Sequence, residues 1–317
     1  MKPIVTLTLN PAIDASCQAD EVRPIHKIRT SHERYDPGGG GINVARVIRE
    51  LGGEALAVYC AGGLTGEAFD QMVDATGLAR RSIQIAGLTR VSHTVFERKS
   101  GQEYRFVPEG PALRAEEWQE ALAALEPLDA DYLVASGSLP QGVPADFYAR
   151  VAEAMRLKGV RLVLDTSGAA LRAALAAGVH LIKPSRGELE RLLGRPLREP
   201  AALEEAARSI VADGGAEIVA VSLGADGALL ATRDECLRLR SPPVKPQSAV
   251  GAGDSFVAGM TLGLAERRPP REAFALAVAT GTAAVLTMGT ELCRRADVLR
   301  LHERIRAEQI EAEAARS

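Results

Sequence analysis

The sequence predicts an α/β fold in which a parallel sheet lies between two layers of helices. From residue 115 onward, helical stretches alternate with short apolar strands, as in "AEEWQEALAAL" followed by "DYLVAS". Before that, residues 15–36 and 80–107 carry alternating β-type sequence, such as "TRVSHTVFER", without an intervening helix. We therefore expect a single domain over residues 1–317, with a small antiparallel sheet inserted in the α/β core by these two segments.

The first third of the chain begins with a strand. Residues 3–9, "PIVTLTL", form an apolar run typical of a buried strand. Residues 41–52 predict a helix that begins at a glycine run and ends at the pair Gly52–Gly53. Residues 54–60, "EALAVYC", predict the next strand of the main sheet.

Four further strands, each preceded by a helix, follow in the second part of the chain: "DYLVAS", "VRLVLD", "VHLIKPS" and "EIVAVSLG". Helices are expected around 271–287 and 295–313. The polar sequences "SGSLP", "DTSG", "KPSRGE" and "SLGADG" stand where these strands end. Ligands of such sheets bind beyond the carboxyl ends of the strands, so we expect the functional site there.

Composition excludes several classes of function. The chain has 317 residues and a formal net charge of -3, without a basic run that would indicate nucleic-acid binding. No run of about 18 apolar residues predicts a membrane span, and Pro11 and Asp14 interrupt the N-terminal apolar run too early for a signal peptide. The four cysteines and five histidines are scattered, which argues against disulfides and a transition-metal centre. We expect a cytoplasmic protein.

The stretch "VGAGDSF" combines an anion-binding turn with a carboxylate. Gly251, Ala252 and Gly253 lead into a predicted helix, whose free N–H groups and dipole favour a phosphate. Asp254 follows at once and is itself an anion. The alternative is an aspartate that caps the helix next to a closely packed turn. The stretch lacks the lysine of a P-loop.

The stretch "DPGGGGINVAR" is the second glycine-rich motif. Four successive glycines, Gly38 to Gly41, allow the backbone to approach a ligand closely. Asn43, on the first turn of the following helix, carries an amide that both donates and accepts, which suits a polyhydroxylated ligand. The alternative is a flexible turn before a helix.

Basic residues occur in both β-rich segments. Lys27 and Arg29 flank Ile28 in a predicted strand and would share one face, and Arg90 and Arg105 lie in the second segment. Together they can form a phosphate clamp, whereas each alone is typical of solvated charge on an exposed sheet.

Two more stretches lie at strand ends. Lys183 and Glu188 flank the exit of the strand in "KPSRGEL". Glu188 can hold a hydrated Mg²⁺, or it can be an ordinary glutamate in the first turn of a helix. In "SLGADGAL", Ser222, Gly224 and Gly227 form a turn between strands, with a plain hairpin turn as the alternative.

These motifs, in this order, resemble those of the PfkB (ribokinase-like) carbohydrate kinases, from about residue 4 to 295. "GGGGINVA" and "VGAGDSF" match the two family signatures, and "TLNPAID", "SGSLP" and "SLGADGA" match as well. The resemblance implies a ribokinase-like three-layer α/β/α sandwich with a small β-sheet lid. Residues 15–36 and 80–107 would form this lid, which covers the sugar and often clasps a partner lid in a homodimer.

The resemblance also implies an activity. "EYRFVPEGPAL", "PVKPQSAVGAGDS" and "MGTELC" are similar to family members that phosphorylate fructose 6-phosphate at its C1 hydroxyl with ATP and Mg²⁺. The alternatives are a 1-phosphofructokinase or a tagatose-6-phosphate kinase, in which a lysine tends to interrupt the glycine run that is unbroken here. A sugar-phosphate-binding protein on a kinase fold is the alternative without activity. Some family members also need a monovalent cation such as K⁺.

The resemblance assigns roles residue by residue. Asp254 would be the catalytic base, beside an anion hole of Gly251, Ala252 and Gly253. Glu188 would organise Mg²⁺ through water. The sugar hydroxyls would contact Asp14, Gly39, Gly40 and Asn43, and the sugar phosphate would contact Lys27, Arg29, Arg90, Arg105 and Ser138. The nucleotide site would be lined by Lys183, Ser185, Ser222, Gly224, Gly227, Ser248, Gly281 and Ala284.

One position departs from the family pattern. The chain has Ser185 in "KPSRGEL", where the family usually has asparagine. Serine is shorter and lacks the amide, although its hydroxyl can still bond to a metal-bound water or a nucleotide phosphate. We expect the change to affect Mg²⁺ affinity and turnover first.

Overall fold

The computed structural model describes the backbone of residues 2–314 and the side chains of residues 2–310. A large sheet is formed by nine strands: β1 (Ile4–Thr8), β4 (Ala55–Ala61), β5 (Ala79–Gln84), β8 (Tyr132–Ser136), β9 (Arg161–Asp165), β10 (Val179–Ile182), β11 (Ala216–Ser222), β12 (Ala228–Ala231) and β13 (Cys236–Leu239). A small sheet is formed by four: β2 (Ala12–Ala19), β3 (Thr30–Gly38), β6 (Arg90–Glu97) and β7 (Gln102–Phe106).

The large sheet has the order β13-β12-β11-β10-β9-β8-β1-β4-β5. Its strands from β5 to β11 are parallel, as expected from the alternation of helices and strands. The expectation of a parallel sheet is wrong at one edge, where β12 and β13 pair antiparallel. Short turns join β11, β12 and β13, and a parallel pair needs a crossover connection of a dozen or more residues.

Helices cover both faces of the large sheet, which confirms the three-layer α/β/α arrangement. One face packs against α1 (Gly40–Glu50), α2 (Gly63–Ala75), α8 (Ala252–Ala265), α9 (Pro270–Ala284) and α10 (Arg295–Ala314). The other packs against α3 (Ala115–Ala123), α4 (Phe147–Leu157), α5 (Gly168–Ala177), α6 (Arg186–Leu193) and α7 (Pro200–Ala212). No helix within residues 2–314 is long and apolar enough to cross a membrane.

The α8–α9 pair is the most deeply buried part of the helical layers. Nearly all of α8 after its first turn is buried, including Phe256, Val257 and Met260. A helix that is apolar all round belongs inside a protein. Packing of the buried residues of α8 holds its first turn at the end of the sheet. This first turn contains the sequence "GAGD".

The small sheet has the order β3-β2-β6-β7. It is mixed rather than antiparallel, because β2 pairs parallel with β6. The chain leaves β2 and β3, builds α1 to β5 in the main domain, and then returns to add β6 beside β2 in the same direction.

Two details of the predicted inserted segments are wrong. Residues 79–84 form β5, which pairs with β4 at the edge of the large sheet, because α2 supplies the crossover that a parallel neighbour requires. Residues 21–29 form a connection rather than a strand. Pro24 cannot donate a ladder hydrogen bond, and Ile25 takes a positive φ of 69°.

Candidate active site

A cavity of about 320 Å³ lies between the small sheet and the carboxyl ends of the central strands. Strands β2, β6 and β7 form one wall, and the glycine run, the ends of β8 and β9 and the start of α8 form the other. Many residues that the sequence singled out line it together: Asp14, Gly39, Gly40, Asn43, Arg90, Arg105, Ser138, Glu188, Gly251 and Asp254. The site therefore lies where the topology of a parallel sheet predicts it.

The glycine run brings the backbone against the floor of the cavity. Gly39 has a φ of 105°, and a Cβ at Gly40 would overlap the hydroxyl of Ser136 at the end of β8. No side chain caps α1, whose N-terminus begins at this run. The run is therefore a tightly packed part of the cavity wall, in contrast to the flexible turn that we considered as an alternative.

The first turn of α8 is a second uncapped helix N-terminus on the same cavity. Gly251 is the N-cap, with a left-handed φ of 73°, and no side chain caps the helix. Ala252, Gly253 and Asp254 are its first three residues, and all are partly exposed. Asp254 is therefore not the capping residue that we considered, and the N–H groups of this turn are left to bind an anion.

Asp254 and Asn43 line the cavity in direct contact. The amide Nδ2 of Asn43 donates a hydrogen bond of 2.9 Å to Oδ2 of Asp254. Burial, and next the nearby carboxylate of Asp165, raises the pKa of Asp254 to about 6. At neutral pH the group is therefore still mainly ionised, with a pKa close to the working range of a general base.

Asp14, on β2, is the second carboxylate of the cavity. Burial raises its pKa to about 6, although the cations Arg105, Arg46 and Arg90 oppose the shift. Asp14 is the last and smallest of the causes that raise the pKa of Asp254, and burial is the first. The two carboxylates can accept hydrogen bonds from hydroxyl groups of a ligand placed between them.

Arg90 is fixed with part of its guanidinium unused. Its Nη1 donates to the carbonyl of Pro108 and its Nη2 to the carbonyl of Asn10, each at 2.8 Å. Its buried Nε has no partner among the described residues. Arg105 and Ser138 share the same cavity. A preoriented guanidinium with unused N–H groups is suited to a phosphate.

Asn10 connects the elements around Arg90 and was not singled out from the sequence. Its Nδ2 donates to the carbonyl of Glu109 at 2.7 Å and lies 3.5 Å from Oγ of Ser138. Asn10 follows β1 in "TLNPAID", so its position at a strand end was the available signal. It holds Ser138, Arg90 and the chain after β7 together.

Lys183 and Asp165 form a buried ion pair beneath the start of α8. The Lys183 Nζ lies 3.3 Å from Oδ1 of Asp165 and would lie 3.4 Å from a Cβ placed on Gly253. Burial alone would lower the pKa of Lys183, but the carboxylates of Asp165, Glu188 and Asp254 raise it above the ordinary value. The ammonium is therefore charged next to the anion-binding turn.

Asp165 is a site residue that sequence reasoning missed. It ends β9 and lines the cavity with Thr166 and Ser167. The stretch "DTSG" had marked this strand end as polar, but nothing in the sequence indicated that Lys183, from the next strand, would pair with it.

Ser185 and Glu188 form a reciprocal capping box at the start of α6. The backbone N–H and Oγ of Ser185 donate to Oε2 of Glu188 at 2.7 and 2.9 Å, and Glu188 N–H donates back to Oγ at 3.3 Å. Serine thus holds the Glu188 carboxylate at the cavity wall. The bond from Ser222 N–H to the carbonyl of Pro184, at 3.0 Å, joins this turn to the end of β11.

The remaining residues predicted for the nucleotide do not line this cavity in the described part of the chain. Ser222 and Gly224 are partly or fully exposed at the end of β11, whereas Gly227 and Ser248 are buried. Gly281 is partly exposed and allows α9 to approach the carbonyl of Ala252. Ala284, the last residue of α9, is 0% exposed in the hydrophobic core, so its contact with a nucleotide stays a prediction.

Lys27 and Arg29 are also not on the cavity. Both are exposed in the connection between β2 and β3. The prediction that they share the face of a strand is therefore wrong, since the backbone turns at Ile25. Their role in a sugar-phosphate site stays a prediction. Among the predicted phosphate contacts, the structure brings together Arg90, Arg105 and Ser138.

Comparison with known proteins shows which proteins the chain is similar to. The chain is 46% identical over 303 residues to the ATP-dependent 6-phosphofructokinase isozyme 2 of Mycobacterium tuberculosis, covering 95% of this chain and 89% of that protein. It is 41% identical to the protein of the same name from Escherichia coli strain K12, covering 95% and 98%. Identity to the 1-phosphofructokinase of Xanthomonas campestris is 38%, over 82% and 83%.

Solved structures agree with the sequence comparison. A structure of phosphofructokinase-2 from Escherichia coli in complex with fructose-6-phosphate superposes with a TM-score of 0.91 at 39% identity, covering 96% of this chain and 99% of that one. The complex of that protein with potassium gives 0.93 at 40%, with the same coverage. The sequence model for pfkB family carbohydrate kinases matches residues 7–297. The chain therefore belongs to the pfkB family of carbohydrate kinases.

Proposed function

We propose that the chain is an ATP-dependent 6-phosphofructokinase. It would transfer the γ-phosphoryl group of ATP to the C1 hydroxyl of fructose 6-phosphate and so form fructose 1,6-bisphosphate, a reaction of glycolysis in the cytoplasm. The observation that carries the proposal is one cavity that holds both Asp254 at the start of α8 and the cations Arg90 and Arg105. The names of the relatives from Mycobacterium tuberculosis and Escherichia coli support this choice of sugar.

The cations would bind the 6-phosphate. Arg90 has an unpartnered, buried Nε, and Arg105 on the neighbouring strand β7 lies on the same cavity. Ser138 adds a hydroxyl donor. A phosphate held by these groups at the small-sheet wall leaves the other end of the sugar directed at α8.

The sugar hydroxyls would be held from two sides. Asp14 and Asn43 offer a carboxylate and an amide, and Gly39 and Gly40 offer backbone groups that no side chain shields. Hydrogen bonds from both sides fix the orientation of the ring. Such positioning accounts for a large part of catalysis in phosphoryl transfer, in which the protein does little covalent chemistry.

Asp254 would accept the proton of the C1 hydroxyl. Asn43 donates to Oδ2 of Asp254 at 2.9 Å and orients the carboxylate. The hydroxyl oxygen then attacks the γ-phosphorus, the bond from that phosphorus to the β,γ-bridging oxygen breaks, and ADP leaves with the electron pair. The N–H groups of Ala252 and Gly253, with the ammonium of Lys183 beneath them, would stabilise the charge on the transferring group.

The residues present fit a magnesium ion that is shared with the nucleotide. The described residues contain no cluster of three or more acidic, histidine or cysteine side chains that could hold a metal by themselves. Mg²⁺ is commonly bound by one or two carboxylates together with water and substrate phosphates. Glu188, held by Ser185, is the carboxylate that we assign to it. When bound, Mg²⁺ neutralises charge on the nucleotide phosphates.

A monovalent cation and a homodimer are further parts of the proposal. The potassium complex of the Escherichia coli relative supports K⁺ as the cation. For the dimer, one row of residues crosses all four strands of the small sheet on the face opposite to Asp14. It comprises Tyr35, Ala15, His93 and Phe106. Tyr35 and Phe106 are each 57% exposed, and an exposed apolar sheet face is typical of an interface.

The proposal is tested by comparing substrates in an assay of ADP release. Fructose 6-phosphate, fructose 1-phosphate and tagatose 6-phosphate are each offered with MgATP, and a thermal-shift series with the same sugars reports binding alone. We expect the highest kcat/KM with fructose 6-phosphate. A preference for fructose 1-phosphate would indicate the activity named for the Xanthomonas campestris relative. Binding without ADP release would indicate a sugar-phosphate-binding protein.

A further inference from the structure

Both edges of the small sheet are hydrogen-bonded to the main domain. The edge strands are β3 and β7. On β7, Oε2 of Glu103 accepts a hydrogen bond of 3.1 Å from Oγ of Ser248. On β3, Oδ2 of Asp36 accepts one of 2.6 Å from Oγ1 of Thr290. Ser248 and Thr290 are both buried, with 5% and 4% exposure, so water competes little for these bonds.

The two hydroxyl residues belong to one structural unit. Ser248 lies three residues before Gly251, the N-cap of α8, and Thr290 lies in the connection between α9 and α10. Gln247 joins these segments: its N–H donates to the carbonyl of Val285 at 2.7 Å and its Nε2 to that of Leu286 at 2.9 Å. We call residues 245–250 and 285–291 the loop pair.

The bonds therefore connect the two halves of the proposed active site. The small sheet carries Arg90 and Arg105, which would hold the sugar phosphate. The loop pair continues directly into Gly251 and the anion-binding turn of α8. The carboxylates of Glu103 and Asp36 lie on the sheet face that carries Arg105 and Asp14, since residues two apart or directly paired share a face.

The bond at β3 also reaches the glycine run. Asp36 accepts hydrogen bonds from Arg34 and Arg46 as well as from Thr290. Arg46, on α1, donates in turn to the carbonyl of Pro37 at 3.0 Å, immediately before Gly38. A shift of Thr290 would therefore be transmitted to the segment that binds the sugar hydroxyls.

We propose that the pairs Glu103–Ser248 and Asp36–Thr290 are positioning residues that couple the binding of the sugar phosphate to the binding of the nucleotide. The inference rests on the proposed function for the identity of the two ligands. The pairs hold the small sheet against the loop pair, so that a ligand which orders one side orders the other. Glu103 and Ser248 do not line the cavity, whereas Thr290 does, so the β7 pair gives the cleaner test.

The experiment measures the coupling by titration calorimetry. The Kd of fructose 6-phosphate is determined with and without a saturating non-hydrolysable ATP analogue and Mg²⁺. The Kd without the nucleotide analogue divided by the Kd with it is the coupling factor. We expect a ratio well above one in the wild type and a loss of about 3- to 10-fold in Glu103→Ala, since a hydrogen bond to a charged group is removed. The Kd without nucleotide should change less than the ratio, and kcat should fall in parallel.

Conservative and matched variants separate positioning from general damage. Glu103→Gln keeps an oxygen that accepts the bond from Ser248 and should restore most of the coupling. Thr290→Val removes only the hydroxyl on the β3 side and should also reduce the ratio. Two controls, Ser100→Ala and Thr30→Val, remove hydroxyl-to-carboxylate bonds within the small sheet, to Glu97 and Glu33. They should leave the coupling unchanged.

The outcomes distinguish this inference from the proposed function. An active wild type with no coupling between the ligands overturns the inference, as does a Glu103→Ala variant with wild-type coupling and kcat. An equal loss of sugar affinity with and without nucleotide would show a structural role only, and so also overturns it. A wild type that neither binds nor phosphorylates fructose 6-phosphate instead overturns the proposed function.

Discussion

At the scale of single residues, the site depends on two carboxylates whose environment sets their protonation. Asp254 and Asp14 are both buried enough that the pKa of each rises to about 6. A helix N-terminus by itself favours the ionised form of an aspartate. Burial and the neighbouring Asp165 carboxylate outweigh the dipole and place its pKa closer to that of an efficient base.

The first prediction concerns Asp254 as the base. Asp254→Asn keeps the size of the side chain and can still bond to Asn43, but it cannot accept a proton. We expect kcat to fall by about 10²- to 10⁴-fold, with little change in the affinity for ATP. Steady-state kinetics and nucleotide titration measure the two effects. A variant that retains most of the wild-type kcat would show that another group is the base.

The pKa of Asp254 also predicts the acid limb of the pH profile. The group is raised to about 6, so it is ionised above that pH and becomes protonated below it. The kcat/KM of the wild type should therefore be flat above neutral pH and fall at least tenfold per unit at pH values well below 6, because Asp14 is protonated in the same range. A profile that stays flat to pH 5 would contradict the assigned value.

The second prediction concerns the phosphate clamp. Arg90→Ala removes a guanidinium whose Nε is buried and unpartnered among the described residues, together with its bonds to the carbonyls of Asn10 and Pro108. We expect KM for fructose 6-phosphate to rise by about 10- to 100-fold, because a bond to a charged phosphate is worth about 1.5–3 kcal/mol. KM for ATP should change little, and equal increases for both substrates would argue against the role.

At the scale of elements, the N-terminus of α8 depends on a backbone conformation that only glycine adopts easily. Gly251 has a φ of 73°, and a Cβ at this position would overlap Cδ2 of Leu292. An alanine here has to shift the turn whose N–H groups we propose to bind the transferring phosphoryl group. The conformation of the turn therefore depends on packing against Leu292, in the α9–α10 connection, as well as on its own sequence.

The third prediction follows from this packing. Gly251→Ala should lose about 1–3 kcal/mol of stability from backbone strain and the overlap, and kcat should fall because the turn moves. Gly159→Ala is the matched control, since Gly159 has a φ of 71° with nothing within 4 Å of its Cβ position. The control should lose comparable backbone stability, as seen by chemical denaturation, without losing kcat. If Gly251→Ala and Gly159→Ala have the same kcat, the packing of Gly251 against Leu292 does not control catalysis.

The elements could largely be predicted from the sequence, because their signals are local. The alternation of helical stretches with short apolar strands predicted α3 to β11 close to their observed bounds. The glycine-rich stretches predicted where α1 and α8 begin. The predictions were wrong where contacts with residues distant in the sequence, or a turn of the backbone, determine the structure of a segment. The segment at 79–84 belongs to the large sheet because β4 is available beside it, and Lys27 and Arg29 leave the sheet because the chain turns at Ile25.

Parts of the site could not be predicted for the same reason. The pairing of Lys183 with Asp165 joins two strands, and the bond from Ser248 to Glu103 spans 145 residues of sequence. The substitution of Ser185 for the usual asparagine suggested a weakened metal site. The structure shows that serine completes a capping box with Glu188, three residues on, which is a pattern that the sequence "SRGE" itself contains. The effect of this serine on Mg²⁺ affinity and turnover stays a prediction.

At the scale of the whole molecule, the active site lowers stability. A carboxylate whose pKa is raised on folding is protonated more readily in the folded state, so its ionisation above that pKa disfavours folding. Asp254 contributes such a cost at neutral pH, since its pKa rises from 3.8 to about 6. The cost disappears below about pH 4, where both states are protonated.

The fourth prediction is that Asp254→Asn is more stable than the wild type at neutral pH. The expected gain in the free energy of unfolding is about 1–3 kcal/mol above pH 7, and it should vanish as the pH falls through 6 to about 4. Urea denaturation of both proteins at several pH values measures it. A variant that is less stable than the wild type at pH 7.5 would show that hydrogen bonding to the carboxylate, rather than burial, dominates.

The central claim is that this cavity phosphorylates C1 of fructose 6-phosphate, and product analysis tests it most directly. The purified chain is incubated with MgATP and fructose 6-phosphate, the product is identified by ³¹P and ¹³C NMR, and kcat/KM is measured for this sugar and for fructose 1-phosphate and tagatose 6-phosphate. The account predicts fructose 1,6-bisphosphate with one ADP per sugar and the highest kcat/KM for fructose 6-phosphate. A higher kcat/KM for either other sugar, or phosphorylation at a different hydroxyl, would contradict it.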